Sequence, residues 1–148
     1  MQSVNFFEVI RAKFPEALQE ESTQAIIIPK EKLLTLARFL KTHEPEFDSL
    51  HCLTAIDRKE RIEVVYIFCS LKAKASLTLK VYLNINDLKV ESLAGIWKAA
   101  DWFEREVYDL FGVTFLNHPN LKRILNPDDW QGYPLRKDFT HPNIVKKP

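Results

Sequence analysis
Apolar and polar positions alternate most regularly between residues 77 and 85. There Leu77, Leu79, Val81, Leu83 and Ile85 interleave with Thr78, Lys80, Tyr82 and Asn84, the period-two signature of a half-buried strand. Two further strands are predicted upstream, Phe47 to Asp57 and Arg61 to Leu71, joined by the polar turn Asp57-Arg-Lys-Glu60. A shorter one is expected over Gln24 to Ile28, where β-branched residues end at Pro29. The pattern elsewhere is helical. Phe6, Phe7, Ile10 and Phe14 predict a first helix capped by Ser3, and Leu33, Leu36, Ala37 and Leu40 predict a second that Pro29 opens and that stops near His43. Leu93, Ile96, Trp97, Ala100, Phe103, Val107, Leu110 and Phe111 predict a long helix over 93–111, with Gly112 as its left-handed stop.

These elements imply an α+β fold. We expect an antiparallel sheet of about four strands, one face wet and the other covered by helices, and an extended C-terminal arm. The core with its long helix would occupy residues 1–112, and the arm residues 113–148, within one structural domain. Five of the eight prolines lie between Pro119 and Pro148, so the arm is loop in either case. Its chemistry favours order: Asn126-Pro127-Asp128-Asp129 reads as a capped helical turn closed by Gly132.

Composition narrows the function. The chain holds 21 Lys and Arg against 20 Asp and Glu, without the basic excess of a nucleic-acid binder. Three glycines, Gly95, Gly112 and Gly132, are too few and too scattered for either phosphate-cradling glycine loop. No apolar run approaches the roughly 20 residues of a membrane span, and the first residues do not form a secretory signal. Cys52 and Cys69 cannot alone complete a metal site and read as free thiols, although a hairpin near Lys59 would make them neighbours on paired strands.

Residues 97–139 concentrate the unusual chemistry, with all three tryptophans and nine of the seventeen aromatic residues. From 104 to 139, six acids interleave with five bases. Aromatic and Arg content with mixed charge is the composition of an interface core, and equally of a tail packed on its own domain. Glu104, Arg105, Glu106 and Asp109 do not make a catalytic constellation. Arg105 and Asp109 have the i, i+4 spacing of a helical ion pair, and Glu104 shares a face with Tyr108. His118 precedes Pro119 in a turn without a second metal ligand near it in sequence, and His141 lies in the tail.

The run Glu104-Arg-Glu-Val-Tyr-Asp-Leu-Phe-Gly-Val-Thr-Phe-Leu-Asn-His-Pro-Asn-Leu-Lys-Arg-Ile-Leu125 resembles the signature of the respiratory complex I 30-kDa family, which in bacteria is the C subunit of NADH:quinone oxidoreductase. Pro127-Asp-Asp-Trp-Gln-Gly-Tyr-Pro-Leu-Arg-Lys-Asp-Phe139 continues the likeness, and Phe47 to Asp57 and Ile62 to Phe68 are similar to its strand segments. The resemblance covers roughly residues 25–140. It implies a non-catalytic, peripheral subunit without a flavin, iron–sulfur cluster or quinone site of its own. The FMN and iron–sulfur clusters would sit in partner subunits, and the chain would dock on the large D subunit, near the cluster-bearing B and I subunits. It would lie on the cytoplasmic side of a bacterial inner membrane. The absence of a long extension after residue 140 suggests a stand-alone protein, not a C–D fusion, and the absence of an Arg-rich leader a bacterial or organelle-encoded chain.

Within that frame, Arg105, Asp109, Arg123, Arg136 and Asp138 are candidate paired charges of the interface. Trp102, Tyr108, Phe111, Trp130 and Tyr133 are its candidate anchors, and His118 and Lys137 complete the set. Trp130→Ala is expected to leave the domain folded and weaken assembly. Two rivals remain: the equivalent subunit of a membrane-bound hydrogenase or deazaflavin-dependent dehydrogenase, and an independent small enzyme using Glu104 and Asp109.

Overall fold
The structure is a computed structural model and describes residues 5–141. Ser3, the expected first cap, lies outside the described residues. Helix α1 (Phe6–Lys13) is capped by Asn5, whose Oδ1 accepts the Phe7 amide at 3.2 Å. Strands β1 (Leu18–Gln19) and β2 (Ile26–Ile27) form a small antiparallel hairpin. β2 is shorter than the apolar run suggests because Gln24 sits in the left-handed region and turns the chain just before it. Pro29 opens a 3-10 turn, Lys30–Lys32, before α2 (Leu33–Thr42), which ends at His43 as its spacing predicts. The stripe Leu33, Leu36, Ala37 and Leu40 is buried.

The three long strands follow closely: β3 (Ser49–Asp57), β4 (Arg61–Ser70) and β5 (Ala75–Asn84). The sheet has five strands in the order β1-β2-β5-β4-β3. Its long pairs are antiparallel, with Val64 opposite both Ala55 and Val81, but β2 joins β5 in parallel. Cys52 faces Ile67 and Cys69 faces Ser49 across β3 and β4, both as free thiols. Ile62, Val64, Tyr66 and Phe68 of β4 share one core with Leu77, Leu79, Val81 and Leu83 of β5 and with the apolar faces of the helices. A side chain of this size gains about 1.5–3 kcal/mol by complete burial, so this face carries most of the stability.

The second face of the sheet is less wet than alternation implies. Glu63 and Lys80 point away from the helical core yet are buried. Glu63 pairs with Arg58 at 3.0 Å and Arg61 at 3.1 Å, and Lys80 with Glu20 at 2.7 Å. Arg61 also lies over the Tyr82 ring at 4.0 Å. Long charged side chains cover this face with their own stems, which a two-letter pattern cannot reveal.

The expected helix over 93–111 is α3 (Ala99–Phe111). The residues before it differ. Lys89–Glu91 forms β6, pairing in parallel with β7 (Thr114–Leu116) as a separate two-stranded sheet. Residues 92–98 turn between β6 and the helix, with Leu93 and Trp97 in the core and the Trp97 indole N–H donating to the Phe47 carbonyl at 3.0 Å. Apolar spacing reports which residues are buried, and this turn buries them without being helical. After the helix, Gly112 takes φ 79°, as a left-handed stop requires. Val113 and Phe115 then return to the core before the arm begins.

Candidate functional site
The arm is held against α3 chiefly by one acid and one base. Asp109 is wholly buried, and its Oδ1 accepts from Arg123 Nη1 at 2.7 Å and Asn126 Nδ2 at 3.0 Å. Its Oδ2 accepts three successive backbone amides, Ile124 at 3.2 Å, Leu125 at 2.7 Å and Asn126 at 2.9 Å. Burial opposes its charge, but the donors from Asn126, Arg123 and Leu125 outweigh that and hold the carboxyl well below the usual range. Arg123 spends its other Nη donors on carbonyls: Asp109 at 2.9 Å, Trp130 at 3.1 Å and Gly132 at 2.9 Å. One guanidinium thus ties two points of the arm to the helix.

The expected i, i+4 pair of Arg105 with Asp109 does not form. Arg105 instead donates to the carbonyls of Lys122 and Arg123, both at 3.2 Å. No helix follows Asn126 either, and its side-chain amide donates to Asp109. Residues 127–130 make a single turn closed by the Trp130 amide on the Pro127 carbonyl at 3.0 Å.

Aromatic rings seat the rest. Tyr133 lies on Gly112 so closely that a Cβ there would stand 2.7 Å from its ring, and Arg123 lies 5.1 Å above the same ring. Tyr108 meets Tyr133 edge-on with centroids 6.5 Å apart. Phe111 is buried in the core. Further along, Trp130 stacks with Phe139 at 6.5 Å and His141 at 5.3 Å. Arg136 pairs with Asp138 at 2.9 Å, and the Leu135 amide donates to the Leu110 carbonyl at 3.0 Å. The Lys137 amide reaches the Asp57 carboxylate at 2.8 Å, tying the arm to the end of β3. Burial works against the Asp57 charge, but amides of Lys137 and Lys59 lower its pKa from the ordinary value.

Three of the candidate residues are exposed, Trp102, Lys137 and Asp138, and of these only Trp102 is apolar. Trp102 is 61% exposed, with the Arg105 guanidinium 5.0 Å from its ring. Because Arg105 is also bound to the arm, the ring stands on a fixed support. Leu125, beside that stretch of arm, is likewise exposed.

Glu104 turns inward and is the residue whose role sequence spacing misses. It has no exposed surface, and its carboxyl takes the Ser92 hydroxyl and the Leu93 amide, both at 2.6 Å. Burial pushes its pKa up to about 7, against the lowering effect of those two donors. His118 lies beside it, Nε2 3.9 Å from the carboxylate and 3.1 Å from both the carbonyl and Oδ1 of Asp101. Its Nδ1 accepts the Asn120 amide at 3.0 Å, so Nε2 carries the proton. Among the described residues no set of three His, Cys, Asp or Glu is arranged to hold a metal ion. No helix there is long and apolar enough to cross a membrane.

The fold defines a small α+β domain with an arm strapped to its last helix, and comparison with known proteins gives the family. The family described as respiratory-chain NADH dehydrogenase, 30 Kd subunit, matches residues 26–144, and the chain belongs to it. It is 43% identical over 139 residues to the NADH-quinone oxidoreductase C subunit of Moorella thermoacetica, covering 91% of this chain and 93% of that protein. It also spans 59% of the length of the C subunit of Chloroherpeton thalassium, with 39% identity. Among solved structures, a trypsin-resistant fragment of Nqo5 superposes with a TM-score of 0.66 at 26% identity, over 77% of this chain and 96% of the fragment. A chain of the membrane-bound sulfane sulfur reductase, an archaeal respiratory membrane complex, reaches 0.76 at 26% identity, over 91% of this chain and 84% of that one.

Proposed function
We propose that this chain is a non-catalytic assembly subunit of the peripheral arm of a proton-translocating NADH:quinone oxidoreductase. It would support electron transfer from NADH, through FMN and iron–sulfur clusters held by other subunits, to quinone. Its partners would be the large D subunit and the cluster-bearing B and I subunits, on the cytoplasmic side of the bacterial inner membrane. Membership in the 30-kDa subunit family and the near full-length likeness to the Moorella thermoacetica protein support this reading.

The observation that carries the docking role is Trp102. Four charges of the segment pair with one another, Asp109 with Arg123 and Arg136 with Asp138, and Phe111 is in the core. Trp102 remains as a large apolar ring that the fold fixes and does not cover. Tryptophan is the residue type most enriched among interface hot spots, where truncation costs about 2 kcal/mol or more. Tyr108, Trp130, Tyr133, His118 and Lys137 act in this reading by shaping the arm that flanks the ring.

Affinity purification of the chain from solubilised membranes, followed by mass spectrometry, tests it. Wild-type chain should bring down a large subunit, cluster-bearing subunits and an NADH-oxidising flavin subunit. Trp102→Ala should bring down markedly less while keeping its own thermal stability. Equal recovery by Trp102→Ala would overturn the docking role. The likeness to the sulfane sulfur reductase chain favours a second reading, the equivalent subunit of a related membrane-bound complex such as a hydrogenase or a deazaflavin-dependent dehydrogenase. Recovery of a nickel-bearing large subunit without a flavin subunit would support a hydrogenase.

A further inference from the structure
We propose that Arg136, at the tip of the arm, receives a carboxylate of another subunit, and that Asp138 is an internal stand-in which this carboxylate displaces. The proposal rests on the docking reading and adds to the Trp102 ring a second contact of opposite chemistry.

The two ion pairs of the arm are built differently. Asp109 and Arg123 are closed in, the acid without exposed surface and the base bonded through both Nη atoms. Arg136 meets Asp138 through a single bond, Nη2 to Oδ2 at 2.9 Å, and the Asp138 side chain is 69% exposed. The two residues are two apart in sequence, so this bond ties no part of the arm to the core. The Arg136 Nε is buried and has no acceptor. Nε and Nη2 share the edge of a guanidinium on which a carboxylate binds side-on through both oxygens. Asp138 therefore fills half of a two-point site, from a position it can leave for water.

What the tip lacks is an acceptor. The Trp130 indole N–H is buried there without one as well. The surface around Arg136 is concave, with a hollow of about 390 Å³ bordered by Gly132, Tyr133, Arg136 and Asp138. A second, of about 190 Å³, is bordered by Asp57, Lys59, Lys137 and Asp138, so Asp138 stands on the rim of both. Asp57 gives its two oxygens to the amides of Lys59 and Lys137. Among the described residues the Lys59 and Lys137 ammonium groups form no ion pair. Cations thus outnumber acids at this tip, and the complementary partner is an anion. Between protein subunits an Asp or Glu side chain supplies it. The receptor is preset, because the Arg136 amide donates to the Tyr133 carbonyl and the Phe139 amide to the Arg136 carbonyl, both at 3.1 Å. Exchange of one carboxylate for the other needs only the Asp138 side chain to rotate outward.

The test is affinity purification of the tagged full chain from solubilised membranes, washed with rising salt, with the co-purified large subunit measured by mass spectrometry. Where half of the wild-type partner remains bound, Arg136→Gln should retain about tenfold less. Asp138→Asn should retain at least as much as wild type, because the incoming carboxylate replaces it. If the pair only braced the tip, both variants would break the same bond and lose retention alike. In Arg136→Lys, a carbodiimide should join the new amine to an Asp or Glu of another subunit. The proposal is overturned if Arg136→Gln is retained like wild type, if Asp138→Asn falls with it, or if the carbodiimide links stay within this chain. Asp138 is exposed, so its variant decides even where Arg136→Gln disturbs the tip. Wild-type chain that brings down no other subunit would overturn the docking reading and this proposal with it. Wild-type recovery with no loss in Arg136→Gln would overturn this proposal alone.

Discussion

Asp109→Asn probes what holds the arm. The amide keeps one acceptor and turns the other oxygen into a donor. If its oxygen faces the Ile124, Leu125 and Asn126 amides, the new NH2 faces Arg123 Nη1 and the Asn126 side-chain donor. The reverse orientation sets the NH2 against three backbone amides. Either way, donors meet donors in a site without exposed surface, and Arg123 loses its counter-charge. Removing one partner of a buried pair costs about 3–5 kcal/mol, and Arg123 keeps its carbonyl acceptors, so the lower end, about 3 kcal/mol, applies. Because the lost bonds join the arm to the helix, that energy should appear as local opening of the arm. At about 1.4 kcal/mol per decade, the open fraction rises by roughly a hundredfold. Limited trypsin digestion under rapid-reclosing conditions reads that fraction directly. Cleavage after Arg123 should accelerate by about two orders of magnitude, while amides of β4 keep their protection. Acceleration below about fivefold, or equal loss of protection in β4, would refute the assignment of this pin to the arm.

Other consequences follow from the same contacts. Gly112→Ala combines an unfavourable φ with a Cβ 2.7 Å from the Tyr133 ring, so denaturant unfolding should show a loss of about 2 kcal/mol. Trp130→Ala removes the stack with Phe139 and His141, so amides of the arm tip should exchange faster while the near-ultraviolet and thermal signals of the core persist. Stability should be greatest in mildly acidic solution. Asp109 and Asp57, with lowered pKa values, stabilise the fold above the ordinary carboxylate range and cease to do so as pH falls. Glu104, raised from 4.5 to about 7, stabilises it below 4.5 and loses up to about 3 kcal/mol of that as pH rises through 7. Thermal unfolding of wild type and Glu104→Gln across that range should converge at low pH, with the variant the more stable at high pH.

The long strands and the buried stripe of α2 were legible because alternation and helical spacing follow directly from which face is buried. Gly112 was legible because a helix end needs a left-handed residue. The start of α3 was not, since Leu93 and Trp97 are buried by a turn whose amide is taken by Glu104, eleven residues on. The β6–β7 pair escaped because three-residue strands carry no period. Spacing likewise pointed Asp109 to Arg105, one turn away, whereas its partner is Arg123, fourteen residues on in the arm. Local pattern registers burial. It does not register which distant group satisfies a buried charge. The same limit made Lys80 look like a solvent-facing position when its ion partner Glu20 had already enclosed it.

A photo-cross-linking residue at position 102, introduced into the full chain in its native membrane, reports whether this ring meets another subunit. Trp102 is the supported, uncovered ring, whereas Glu21 lies exposed in the β1–β2 turn at the other edge of the sheet. Cross-links from position 102 should reach another subunit of the oxidoreductase, foremost its large subunit, and far fewer should form from position 21. Cross-links from position 102 that stay within this chain, or match those from position 21, would contradict the docking role.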